Sequence, residues 1–161
     1  PEIRHRVLES SPGLEVIEIG CPALHETIAD WSLPLPNGIG DPARTWNGQR
    51  FVRHVADAAT YHPWRHDGWE CRDTGIAAAT QGLATAHVAR AITRSERAIA
   101  HSVLGSEFAM LVVLRGCVTF EAAGREPTVL DDGDSVAIPG DLGHRLVDPS
   151  PDCELLDVTF P

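Results

Sequence analysis

From Trp69 onward the chain is built of short apolar or alternating runs separated by Gly- and Asp-bearing breaks, the rhythm of an antiparallel all-β sandwich or barrel. This pattern predicts strands over 69–73, 75–78, 84–92, 98–103, 108–114, 117–122, 128–130, 135–138, 144–147 and 153–159. The first sixty residues read differently. Pro12, Pro22, Pro34, Pro36 and Pro42 break up the short apolar stretches there, leaving an edge-strand candidate at 14–19 and one short helix over 22–31, where Leu24, Ile28 and Trp31 fall at helical spacing. Residues 34–53 read as loop and 61–69 as an aromatic, turn-forming stretch. The predicted organisation is an irregular extension over 1–60, with at most a short helix, packing on the barrel or on a partner subunit. A barrel follows over 61–161.

Composition narrows the function classes. At 161 residues and 43% hydrophobic side chains, one domain with an ordinary core is expected. The longest apolar run, 109–114, is far short of the roughly 20 residues that span a bilayer, and the polar start at 1–6 lacks a signal-peptide stretch. A cytoplasmic protein without a membrane partner is the expectation. The net charge of −10 repels phosphate backbones, so nucleic acid is not an expected partner. All thirteen basic residues are Arg, which excludes Schiff-base catalysis and the phosphate-gripping lysine of a P-loop. Cys21, Cys71, Cys117 and Cys153 form no C-x-x-C pair, so neither a zinc ribbon nor a thioredoxin-like motif can be drawn. No G-x-S-x-G elbow is present, and Gly38-Ile39-Gly40 opens no dinucleotide-binding pattern.

The stretch from Leu130 to His144 resembles the second conserved motif of the cupin superfamily. In that motif a Gly-Asp turn leads into a short strand, a Pro-containing bend, and a His five residues after the Pro. Gly133, Pro139 and His144 occupy those places, while Asp141 stands where the family usually has Gly. Upstream, Phe108 to Glu121 is similar to the end of the first motif, with Gly116 at its turn. The resemblance implies a jelly-roll barrel with His144 pointing inward, and a homodimer. Cupin enzymes usually carry His-x-His and then Glu ahead of the turn glycine, but here those places hold Ser102, Leu104 and Ala109. What remains nearby is His101, one residue early, and Glu107, two residues before the expected carboxylate.

Two expectations follow, separated by ligand count, because a divalent metal site needs about three converging donors. The first is a cupin-fold protein with an eroded metal site and no cofactor, binding a small organic ligand in the barrel. The second is a metal-dependent enzyme of the dioxygenase or isomerase type, acting on a small molecule, with His101, Glu107 and His144 holding Fe, Mn, Ni or Zn. For the ligand pocket the residues singled out are His87, His144, His101, Glu107 and Met110. His87 is chosen because alternation puts it on one face with Thr85 and Ala89, whose small side chains leave room beside it. His25, His54, His62 and His66 read as surface or structural; His62 and His66 have the i, i+4 spacing of a helical pair, but Pro63 and its neighbours favour a loop.

Overall fold

The computed structural model describes residues 5–20, 29, 32, 34, 40–41, 43–92 and 105–161. The chain divides into two compact units, 1–47 and 48–161. In the first, the one regular element among the described residues is β1 (Thr45–Trp46). Val7, Leu14, Val16 and Ile17 are exposed and no strand forms at 14–19; the adjacent Val16 and Ile17 break the alternation that would give a strand a single apolar face. The helix expected over 22–31 falls almost wholly outside the described residues.

The second unit carries β2 (Gln49–Arg50), β3 (His62–Pro63), β4 (Trp69–Asp73), β5 (Thr85–Ala91), β6 (Phe108–Arg115), β7 (Cys117–Ala122), β8 (Thr128–Asp131), β9 (Ser135–Pro139), β10 (His144–Val147) and β11 (Glu154–Phe160). It also holds a 3-10 turn at Ala56–Ala58 and a short helix, α1 (Ile76–Thr80). Among the described residues the strands form a six-stranded sheet in the order β3-β4-β5-β11-β6-β9 and a three-stranded sheet in the order β10-β7-β8. Pairing is antiparallel in both. The fold is a jelly-roll barrel, nearly all β. No described helix is long and apolar enough to cross a membrane.

The two sheets close on one apolar core because the strands alternate with period two. Ala109, Leu111 and Val113 of β6, Val118, Phe120 and Ala122 of β7, and Leu130, Ile138, Leu146 and Leu155 of the later strands belong to a single buried cluster. The strand predicted at 75–78 is replaced by α1. Its Ile76-Ala77-Ala78-Ala79 run is too short for periodicity to decide, and alanine is the best helix former. The strand predicted over 98–103 lies outside the described residues.

Two glycines shape the barrel's corners. Gly116 alone joins β6 of the larger sheet to β7 of the smaller one, at φ +72°, and a Cβ there would collide with the Ser150 hydroxyl and approach the Cys153 backbone. Ser150 holds the corner by accepting the Cys117 N–H at 3.0 Å. Gly140 follows β9, where its N–H donates to the Glu107 carbonyl at 3.0 Å and a Cβ would run into the Ser106 carbonyl oxygen. The close approach therefore falls at Gly140, immediately before the Asp141 that replaces the family's usual glycine. Between β8 and β9, Asp134 closes the turn by accepting the Asp131 N–H with its carboxylate at 2.9 Å.

Candidate functional site

Strand register lines up Asp73, His87, Asp157 and Leu111 across β4, β5, β11 and β6. Asp157 sits in the middle of the large sheet and is fully buried. A buried carboxylate must be paired, and the strap before β4 supplies the partner: Arg65 donates from both terminal nitrogens, Nη2 to Oδ1 at 2.8 Å and Nη1 to Oδ2. The Arg65 guanidinium also lies over the Trp64 ring, 4.5 Å from its centroid.

The next residue of the strap enters the core. His66 is 1% exposed, with its ring 4.7 Å from Trp64 and 5.9 Å from His144. Among the described residues neither ring nitrogen of His66 has a hydrogen-bond partner. Burial first, then the charge of Arg65 and the neighbouring His144, lowers its pKa to about 3, so the ring is neutral at physiological pH. His144, at the start of β10, is also fully buried. Its Nδ1 donates to the Leu142 carbonyl at 3.0 Å, and its ring stacks on Phe120 at 5.7 Å.

Above this core, a cleft of about 400 Å³ is lined by Trp64, Arg65, Thr85, His87, Ser106 and Thr159, among others. Thr85 and Thr159 are register partners on β5 and β11, with their hydroxyls hydrogen-bonded to each other. The Ser106 Oγ is buried and has no hydrogen-bond partner among the described residues. Burial pushes the Cys153 thiol up to about 12, and the Cys71 thiol is also raised, by burial and then by Asp157 and Asp73. Neither is an activated nucleophile.

The residues singled out from the sequence take separate places. His87 lines the cleft, whereas His144 lies in the core against His66 and Phe120. Glu107 is exposed ahead of β6. Met110 occupies the face of β6 opposite the Ala109, Leu111 and Val113 row that belongs to the core. His101, like Ser102 and Leu104, lies outside the described residues. Sequence reasoning pointed to Arg65 as a stacking partner of Trp64 but missed its pairing with Asp157 and the burial of His66. A signal existed for Asp157: it is the lone charge inside Leu155-Leu156-Asp157-Val158, on the face of Leu155, and so required a buried cation.

On the β6 row that faces the core stand Ala109, Leu111 and Val113, none of them a donor, and both oxygens of Asp157 are taken by Arg65. Among the described residues no group of three or more His, Cys, Asp or Glu is placed to hold an ion.

No protein-family model and no curated protein sequence matches this chain. Solved structures do. A hydroxypropylphosphonic acid epoxidase from S. wedmorenis superposes with a TM-score of 0.54 at 14% identity, over 68% of this chain and 59% of its own. KdgF from Halomonas sp. gives 0.52 at 19% identity, over 67% and 93%. A sugar phosphate isomerase of the cupin superfamily from Silicibacter pomeroyi gives 0.53 at 17%, over 68% and 75%. The chain thus spans about three-fifths of the epoxidase's length. The likeness is one of fold, and together with the sheet topology it defines a cupin-type jelly-roll barrel. An iron(II) form of HppE is among the similar structures, at 14% identity and a TM-score of 0.53.

Proposed function

We propose that this chain binds a small organic ligand at the mouth of its barrel, with the metal site of the cupin pattern reduced to His144. The cleft carries the reading: its volume of about 400 Å³ falls within the range of small-molecule pockets, and it places a few convergent polar groups beside an aromatic side chain. His87 is the residue from the sequence-derived set that lines it.

The test joins metal content to ligand response. Elemental analysis of the purified protein should find far less than one transition metal per chain, and a panel of small organic acids, alcohols and sugars should contain compounds that raise the melting temperature saturably. Replacing His87 with Ala should weaken that response. About one metal per chain, lost in His144→Ala, with no compound in the panel binding, would overturn the reading. That result would favour the metal-dependent enzyme, which rests on His144 occupying its motif position and needs His101 and Glu107 to join it.

A further inference from the structure

We infer that the cleft selects a neutral, polyhydroxylated ligand, a sugar or sugar alcohol, over an organic anion or cation; this rests on the ligand-binding reading above. Charge decides the class. Among the described residues the one cation lining the cleft, Arg65, is already matched by Asp157, which takes both of its terminal nitrogens. An anion would enter a site whose positive charge is compensated, inside a chain of net charge −10. A cation would meet the Arg65 guanidinium and, among the described residues, no carboxylate at the lining, since Asp157 is fully buried and doubly engaged.

What the lining does offer is hydrogen bonding in both directions. Thr85 and Thr159, joined by one hydrogen bond, keep one free O–H and acceptor lone pairs between them, Ser106 has a hydroxyl able to donate and accept, His87 adds a ring with one donor and one acceptor when neutral, and Arg65 keeps N–H groups that Asp157 does not use. Such a mixture matches a ligand whose own groups are hydroxyls. Ser106 supplies a second, independent observation, because a buried hydroxyl left without a partner among the described residues is costly until something pairs with it. Thr85 and Thr159 hold each other in place across β5 and β11, so their free lone pairs are oriented before a ligand arrives.

The experiment titrates the full chain with xylose, glucose and myo-inositol, with glucuronate and glucose 6-phosphate as anionic counterparts, and with glucosamine as a cationic one. Tryptophan fluorescence, to which Trp64 at the cleft contributes, and melting temperature serve as readouts. At least one neutral compound should bind saturably, about tenfold or more tighter than its charged counterpart. Thr85→Val with Thr159→Val should weaken that binding about tenfold or more while leaving the unliganded melting temperature close to the parent's, since both changes keep the β-branched shape. Should the double variant fold poorly, Ser106→Ala serves instead and should weaken binding alone. Glucuronate or glucose 6-phosphate binding at the cleft as tightly as the neutral sugars would overturn the inference while leaving the ligand-binding reading intact. No response to any of these probes, together with about one metal per chain, would overturn both.

Discussion

Asp157 and Arg65 carry the largest single-residue consequence in the barrel. Removing one partner of a buried ion pair leaves an uncompensated charge, which costs about 3–5 kcal/mol, whereas replacing both by apolar groups costs much less. Arg65→Met should therefore lower the urea midpoint strongly, and adding Asp157→Leu should recover much of the loss. A double variant no more stable than Arg65→Met would contradict that account. His66 sets a pH dependence. Its folded pKa of about 3 lies below the unfolded value near 6.5, so as pH falls below 6.5 the unfolded chain takes a proton that the folded chain refuses. Stability should decline from about pH 6.5 down to about pH 3, by at most ~1.4 kcal/mol per pH unit from this group. Compared with the parent, His66→Phe should flatten that slope in denaturant titrations run across the same range.

Elements depend on their corners. At Gly116 any side chain meets both a positive φ and the Ser150 hydroxyl, so Gly116→Ala should cost about 1–3 kcal/mol. Gly140→Ala forces its methyl group against a backbone carbonyl that cannot rotate away and should be at least as damaging, as thermal melts would show. Strand positions were legible from the sequence wherever alternation ran for several residues between turn signals: β4, β7 and β10 lie where periodicity alone places them. The alanine-rich run at α1 was not legible, since four residues fit either period and propensity then decided. His144 was singled out by the motif resemblance, five residues after Pro139, and lies in the core, while His87 was singled out by its small neighbours and lines the cleft. The Arg65–Asp157 pair and the His66–His144 contact join residues 92 and 78 positions apart, and only the folded sheets bring them together.

For the whole molecule, the excess of ten negative charges is a steady repulsion that the compact state must tolerate. Raising NaCl from 10 to about 150 mM shortens the Debye length from about 30 to 8 Å, so the melting temperature at pH 7 should rise over that interval. A fall would show that local pairs such as Arg90–Glu70 and Arg145–Glu121 outweigh the overall field.

The position of β11 constrains how the barrel comes into being. This strand, the last of those described, lies between β5 and β6 and pairs with both along nearly its whole length. Until residues 154–160 arrive, β5 and β6 each present an open edge and the large sheet is two separate pieces. Contacts of such long sequence separation make folding slow, in the millisecond-to-second range typical of all-β domains. During synthesis the unfinished barrel consequently stays exposed to edge-to-edge association until β11 emerges, a window in which chaperone binding would have its greatest effect.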